Sequence, residues 1–253
     1  GKGADMGFEA FLDAAENMEL YDIETDSEVY RKGIFLADTL DKFKSPEEMF
    51  HKVYQNSKEL IDTGKFLSFI GGEHSISIGI IKAMYEHYDD LTVLQIDAHA
   101  DLRPEYEGTP YNHACAMHDA RYNTNLIQLG IRSMDVSEKA HMDYERCFFA
   151  HKMALSRDWI DKSIALMTDR VYLSFDLDAF DSGIMPSTGT PEPGGLDWYT
   201  VMQYLSRVFS EKEVVGFDIV ELAPINGLHA SPYLLSKMYY KLLSYKFFPQ
   251  GSL

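Results

Sequence analysis

The sequence predicts an α/β fold, in which a mostly parallel β-sheet is covered by helices on both faces. Apolar, β-prone runs alternate with helical patterns along the 253 residues, and this alternation is typical of parallel sheets. Several of the runs are almost wholly apolar, as expected for strands that are buried on both faces. Gly and Pro are dispersed, and there is no repeat or low-complexity tract. Residues 1–253 are therefore expected to form one domain.

Seven runs have the composition of strands, and five segments have the pattern of helices. The predicted strands are 18–23, 67–70, 93–96, 126–131, 146–150, 171–175 and 214–220. The predicted helices are 46–62, 76–88, 154–168, 197–210 and 231–244. Ser45 followed by Pro46 is a typical helix start, and Ser75 offers a similar cap to the second helix.

Three short acidic motifs follow three of the predicted strands: GGEHS at 71–75, DAHAD at 97–101 and SFDLDAFD at 174–181. The carboxyl ends of parallel strands form the edge at which open α/β sheets build their sites. One such motif alone is weak, because it could be a solvated turn, but three at strand ends favour a common site. Together the motifs offer six potential metal ligands: His74, Asp97, His99, Asp101, Asp176 and Asp178.

The spacing within DAHAD indicates that the chain leaves its strand there and curls. In a helix His99 would point away from Asp97 and Asp101, because residues i and i+2 do not share a face. In a continuous strand the two aspartates would lie roughly 13 Å apart, at about 3.3 Å per residue. A strand end that turns around two ions about 3.5 to 4 Å apart accommodates all three side chains.

Four carboxylates gathered in one pocket require positive charge between them. Two carboxylates about 4 Å apart repel by roughly 4 kcal/mol at an effective dielectric constant near 20. The three motifs contain no Lys or Arg, whereas two divalent ions would offset the four charges and acidify a bridging water. Oxygen ligands with two imidazoles favour Mn²⁺, and Zn²⁺, Co²⁺ and Fe²⁺ remain alternatives.

The composition limits the possible partners. The formal net charge of -17 argues against a nucleic-acid partner. It is compatible with a small cationic substrate, although it also serves solubility. No apolar run approaches the roughly 20 residues of a membrane span, and the amino end lacks the pattern of a signal peptide. With Cys115 and Cys147 read as reduced thiols, the chain is expected to be a cytoplasmic protein without a membrane partner.

These motifs resemble those of the ureohydrolase family, the arginases and agmatinases. The resemblance runs from about residue 66 to 225 and includes NHACAM at 112–117, TGTPEPGG at 188–195 and FDIVELAP at 217–224. The sequences of these motifs are most similar to those of agmatinases. It implies a three-layer αβα sandwich with about eight strands and a homo-oligomer, either a trimer or a hexamer. The family normally has a strand ahead of the loop that residues 1–7 resemble, so part of the family's amino-terminal segment is expected to be missing here.

The resemblance also implies two Mn²⁺ ions per chain and a division of the six ligands between them. A hydroxide that bridges the two ions would attack the carbon of a guanidinium group. The implied ligands are His74 and Asp101 for the first ion, His99 and Asp178 for the second, and Asp97 and Asp176 for both.

Three residues receive catalytic roles from the same resemblance. Asp101 would orient the hydroxide. His113 matches the acid/base histidine that passes a proton to the leaving amine, since imidazole titrates near neutral pH. Glu221 matches the carboxylate that grips the guanidinium nitrogens.

Agmatine is the expected substrate, and its hydrolysis would give urea and putrescine, a step of polyamine biosynthesis. The loop at 103–112 carries Glu105, Tyr106 and Glu107 but no evident cationic or Ser/Asn cluster for a substrate carboxylate. The chain would then be a hydrolase acting on linear amidines. Guanidinobutyrate, arginine and formimidoylglutamate remain alternative substrates. Outside this class, a deacetylase-like amidohydrolase or a catalytically silent metal or polyamine binder remains open.

Overall fold

A parallel sheet of six strands forms the centre of the protein in the computed structural model, which describes residues 3–40 and 43–249. The order across the sheet is β1-β6-β5-β2-β3-β4, and every adjacent pair is parallel. The predicted parallel sheet is therefore confirmed. The strands are β1 Leu67–Ile70, β2 Leu91–Ile96, β3 Asn125–Ile131, β4 Cys147–Phe149, β5 Arg170–Asp176 and β6 Glu213–Val220.

Helices cover both faces of this sheet and enclose two separate apolar cores. Side chains of α2, α3 and α4 pack on one face, and side chains of α1, α5, α6, α7 and α8 pack on the other. This is the three-layer αβα arrangement. The helices are α1 Gly7–Ala15, α2 Pro46–Ile61, α3 Ile76–His87, α4 His118–Asn123, α5 Ala150–Met153, α6 Trp159–Leu166, α7 Trp198–Glu211 and α8 Ala230–Phe247.

Side chains of one strand alternate between the two cores. In β2, Val93 packs on the α2 side of the sheet, whereas Leu94 and Ile96 pack on the α8 side. Successive residues of a strand point to opposite faces, so a strand with helices on both sides is apolar at most of its positions. The mainly apolar runs in the sequence have this cause.

The described residues form six strands and not about eight, and the predicted strand at 18–23 is wrong. Asp22 makes only an isolated antiparallel bridge to Ser27. Its carboxylate accepts hydrogen bonds from the backbone N–H and the hydroxyl of Thr25 and from Lys241. The chain therefore turns back at this point. Local side-chain to backbone bonds of this kind compete with a sheet ladder.

The helix starts differ from one another in how they are capped. Ser45 caps α2 as predicted, because its hydroxyl accepts the N–H of Glu48 at 3.2 Å. The predicted cap at Ser75 is wrong: that hydroxyl donates to Glu73 Oε1 at 2.7 Å, and no side-chain cap bond forms at α3. Ser75 therefore orients a neighbouring side chain and leaves its own helix uncapped.

The remaining helix predictions are partly confirmed. The segment 154–168 was predicted as one helix, but α5 ends before it and α6 begins only at Trp159. Between them Ser156 Oγ accepts the N–H of Asp158 at 3.1 Å, so the chain turns before α6. Helices α1, α4 and α5 are not among the predicted helices. No helix of the described residues is long and apolar enough to cross a membrane.

Candidate metal centre and active site

The candidate site lies at the carboxyl edge of four neighbouring strands. His74 follows β1, the DAHAD motif follows β2, Asp176 ends β5, and Glu221 follows β6. These strands are adjacent in the order β1-β6-β5-β2. Side chains that are far apart in the sequence therefore meet at one edge of the sheet.

Two groups of side chains here have the geometry to hold a metal ion. The potential ligand atoms of His74, Asp97 and Asp101 all lie within 4.8 Å of one another, and so do those of Asp97, His99 and Asp178. Asp97 belongs to both groups. One carboxylate is thus placed between two potential ion sites.

The DAHAD segment curls directly after β2 ends at Ile96. The N–H of Asp97 donates to Leu129 O at 3.0 Å, and Asp97 Oδ1 accepts the N–H of His99 at 2.6 Å. Asp101 has a positive φ of 53°, a conformation that costs a non-glycine residue of the order of 1 kcal/mol and is found at functional sites. This turn brings Asp101 Oδ2 to 3.1 Å from Nδ1 of His74.

The DLD residues are held by a tight turn after β5. Asp176 Oδ1 accepts the N–H of Asp178 at 2.8 Å, and Asp178 Oδ1 accepts the N–H of Ala98 at 3.1 Å. The other oxygens face the histidines: Asp178 Oδ2 is 2.9 Å from Nδ1 of His99, and Asp176 Oδ2 is 3.4 Å from Nδ1 of His74. All six predicted ligands therefore lie in one cluster.

The environment of His74 fits a cation at Nδ1. The ring is buried, and its Nε2 lies 2.9 Å from the Ser174 hydroxyl, which itself donates to Asp218 Oδ1 at 2.8 Å. That hydroxyl uses its one hydrogen on Asp218, so it accepts from Nε2–H, and a neutral His74 carries its lone pair on Nδ1. Nδ1 has no hydrogen-bond partner among the described residues, although three carboxylate oxygens lie within 3.4 Å. A lone pair that faces carboxylates is repelled unless a proton or a metal cation lies between them: burial lowers the pKa of His74, but the carboxylates of Asp101, Asp176 and Asp97 together raise it well above its usual range.

The electrostatics of the cluster point the same way. Burial raises the pKa of Asp101 to about 6, and the Asp97 carboxylate adds to the shift. Burial also raises the pKa of Asp176 well above its usual range. Burial lowers the pKa of His99, but Asp178 and Asp97 together outweigh this effect and raise the pKa to about 12. The cluster thus attracts positive charge, and a divalent cation would favour the ionised carboxylates.

A buried chain of amides that the sequence motifs do not predict orients Asp97. Gln95 Nε2 donates to Asp97 Oδ2 at 2.8 Å, and Gln128 Nε2 donates to Gln95 Oε1 at 2.6 Å. Both glutamines are buried. The signal that could have revealed them is a polar residue within an otherwise apolar strand, since such residues need a hydrogen-bond partner when they are buried.

Arg132 fastens the backbone behind the second group of ligands. Its guanidinium donates to the carbonyl oxygens of Asp178 at 2.7 Å, Glu192 at 2.9 Å and Phe180 at 3.2 Å. Burial lowers the pKa of Arg132, although nearby carboxylates oppose the shift. This half-buried cation fixes the loop that carries Asp178 through main-chain bonds.

His113 and Glu221 line the same cleft as the cluster. His113 begins a short 3-10 helix, His113–Cys115, and its Nδ1 lies 3.0 Å from Glu73 Oε2. Glu221 has a positive φ of 69°; its N–H donates to Gly72 O at 2.8 Å, and its Oε1 accepts the N–H of His74 at 2.8 Å. Burial raises the pKa of Glu221 to about 7. Both side chains are tied to the turn that carries His74.

The parallel α/β fold carries at its carboxyl edge an Asp/His cluster with the geometry of a metal centre, and comparison with known proteins identifies the family. Residues 1–244 match the arginase family. The chain belongs to this family.

Individual relatives agree with this assignment. The N(1)-aminopropylagmatine ureohydrolase of Synechocystis sp. is 38% identical, over 96% of this chain and 83% of that protein. The agmatinase of Pyrococcus horikoshii is 30% identical, over 87% of this chain and 78% of that protein. The crystal structure of the agmatine ureohydrolase of Thermoplasma volcanium matches with a TM-score of 0.86 and 28% identity, over 97% of this chain and 84% of that one. The predicted family, fold class and type of enzyme are confirmed.

Proposed function

We propose that this protein hydrolyses the guanidino group of an agmatine-type amine to urea and a polyamine at a centre of two Mn²⁺ ions. The observation that carries the proposal is the position of Asp97, which is shared by two His/Asp groups in the cleft that His113 and Glu221 also line. Membership of the arginase family supports it.

We assign the six clustered side chains to two ions. Carboxylate oxygens with one imidazole per group suit a hard to borderline ion such as Mn²⁺. When bound, the ions would supply a water that is acidic enough to ionise near neutral pH. The proposed ligands are His74 and Asp101 for the first ion, His99 and Asp178 for the second, and Asp97 and Asp176 for both.

Glu221 is the proposed acceptor of the guanidinium group. Its Oε1 accepts the N–H of His74, but each carboxylate oxygen has two acceptor positions, so both oxygens remain able to bind the substrate. A paired, charge-assisted contact would orient the planar guanidinium over the cluster. Approach of the cation would also favour the ionised form of Glu221.

His113 is the proposed proton donor to the leaving amine. It is bonded to Glu73 through Nδ1, which leaves Nε2 free to deliver a proton. The hydrogen bond with Glu73 raises the pKa of His113, against the effect of burial. The imidazole of His113 therefore stays protonated at pH values closer to neutral than it would without Glu73.

The proposed substrates are agmatine and N(1)-aminopropylagmatine. The cleft contains Arg103, but its guanidinium lies over the Tyr106 ring at 4.6 Å and 4.0 Å from Asp135. These two neighbours compete with a substrate carboxylate for the guanidinium of Arg103. The name of the Synechocystis relative favours the aminopropyl compound, whose second ammonium group suits an acidic protein.

Urea release from the manganese-loaded protein tests this proposal. We expect a kcat/KM for agmatine or N(1)-aminopropylagmatine at least about 100-fold above those for arginine and guanidinobutyrate, because a carboxylate without a partner costs several kcal/mol. Equal turnover of arginine would overturn the preference for amines. If none of the four compounds releases urea, the proposed activity is wrong; acetate release from acetylated polyamines would then indicate a deacetylase.

Ser174 should support metal binding through His74. We expect Ser174→Ala to weaken binding of the first ion by about 10- to 100-fold, because the imidazole loses the partner that fixes its tautomer and orientation. Competition with a chelator measures this affinity. Tyr172→Phe is the matched control, since it removes another hydroxyl bond to Asp218 and leaves His74 untouched. Equal metal affinity of both variants would show that the hydroxyl of Ser174 has no such role.

A further inference from the structure

We propose that Glu73 is the positioning residue of His113, which it holds so that Nε2 of the imidazole faces the substrate. This inference rests on the proposed function, because it assumes that His113 donates a proton there. Glu73 itself touches neither the substrate nor the metal cluster in this arrangement. It acts through the histidine.

Both carboxylate oxygens of Glu73 are engaged. Oε2 lies 3.0 Å from Nδ1 of His113, and Oε1 accepts the hydroxyl of Ser75 at 2.7 Å. Ser75 is 1% exposed and lies next to the start of α3. A carboxylate that is anchored at one oxygen presents the other in a fixed direction, so it selects one orientation of the imidazole.

His113 needs such an anchor because little else restrains its ring. Its side chain is 49% exposed, and among the described residues Glu73 is its one side-chain hydrogen-bond partner. Tyr106 contacts the ring edge-on with a centroid separation of 6.0 Å. An aromatic contact limits tilting of the ring but does not select which nitrogen carries the proton. The charged carboxylate of Glu73 does select it, because this acceptor requires a proton on Nδ1.

The length of Glu73 matters for this contact. An aspartate would be shorter by one carbon–carbon bond, about 1.5 Å. From a present separation of 3.0 Å, the shorter carboxylate would fall outside hydrogen-bonding distance of His113 unless the turn moved. Glu73→Asp therefore retains the charge and removes the contact, whereas Glu73→Gln retains an acceptor and removes the charge.

The test compares Glu73→Ala, Glu73→Asp and Glu73→Gln with the parent protein, each alone and with His113→Ala. We expect Glu73→Ala and Glu73→Asp to lower kcat by about 10- to 100-fold with little change in KM and an unchanged Mn²⁺ content. Glu73→Gln should recover part of the loss. In the His113→Ala background the same changes should cost nothing further, because the effect of Glu73 passes through the histidine. Glu59→Ala, at an exposed site on α2, is the control.

The pH dependence adds a measurement that a merely structural role would not move. As the acid, His113 must be protonated, so activity falls as pH rises through its pKa. Glu73 raises that pKa, and its removal should shift the fall to lower pH. The pH dependence of the carbethoxylation of His113 by diethyl pyrocarbonate, followed by peptide mass spectrometry, gives the midpoint of the protonation of His113 independently of activity.

The outcomes separate the two proposals. If the parent releases no urea, the proposed function fails, and the carbethoxylation midpoint still shows whether Glu73 controls His113. If Glu73→Ala has the same kcat, the same pH profile and the same carbethoxylation midpoint as the parent protein, the inference is overturned. So would a second full loss of activity when Glu73→Ala is added to His113→Ala. Should Glu73→Ala fail to fold, Glu73→Gln decides by its midpoint alone.

Discussion

Replacement of Asp97 by asparagine should abolish urea release by the manganese-loaded protein and reduce its metal content to one ion per chain or none. Asp97 belongs to both potential ion sites, so its loss weakens two sites at once. The side chain of asparagine is neutral and provides one oxygen ligand, whereas the carboxylate of aspartate is charged and provides two. We expect activity to fall at least about 1000-fold, which corresponds to roughly 4 kcal/mol of transition-state stabilisation.

Metal content per chain, measured by mass spectrometry after Mn²⁺ loading, and the rate of urea release test this result together. The melting temperature must also be recorded, because both carboxylate oxygens of Asp97 accept hydrogen bonds, from Gln95 and from His99, and an amide satisfies only one. Asp13→Asn, at an exposed position of α1, serves as the control. Two bound ions and a parental rate in Asp97→Asn would contradict the shared-ligand assignment.

Replacement of Glu221 by glutamine should leave two ions bound but lower kcat/KM by about 100- to 1000-fold. The amide oxygen still accepts the N–H of His74, so the turn that carries the metal ligand keeps its bond. The negative charge that would pair with the guanidinium is lost, and the loss of one partner of such a pair costs roughly 2 to 5 kcal/mol. Glu221→Ala removes both functions and should also weaken metal binding.

Kinetics with the preferred substrate and metal analysis of the two Glu221 variants distinguish these roles. Glu213→Gln is a suitable control, because Glu213 is an exposed glutamate at the opposite end of the same strand. Parental kcat/KM in Glu221→Gln would mean that another group binds the guanidinium. A fall in metal content in Glu221→Gln would mean that its charge supports the ions directly.

The inner strands were predictable because they are buried on both faces. Leu94 and Val93 pack into different cores, so a mainly apolar run marks a strand. The run at 18–23 has a similar local composition, but Asp22 closes a turn with Thr25 and pairs with Lys241. Lys241 is more than 200 residues away in the sequence. No property of the run itself reveals that contact.

The candidate ligands were predictable for a different reason: their motifs directly follow strands, and parallel strands bring their carboxyl ends to one edge. The roles of His113 and Glu221 came from the family resemblance and not from their local sequence. The bond from Ser174 to Asp218 depends on the register of β5 against β6, in which these residues are direct neighbours. A register of this kind arises only when the sheet assembles, so it is not visible in either strand alone.

The turn at residues 72–75 contacts or carries several functional side chains of the site. Glu73 holds His113, Gly72 O and the N–H of His74 hold Glu221, and the imidazole of His74 belongs to the cluster. A displacement of this short turn is therefore expected to affect the imidazoles of His74 and His113 and the carboxylate of Glu221 together. In a site assembled from independently anchored loops, these side chains would not be coupled in this way.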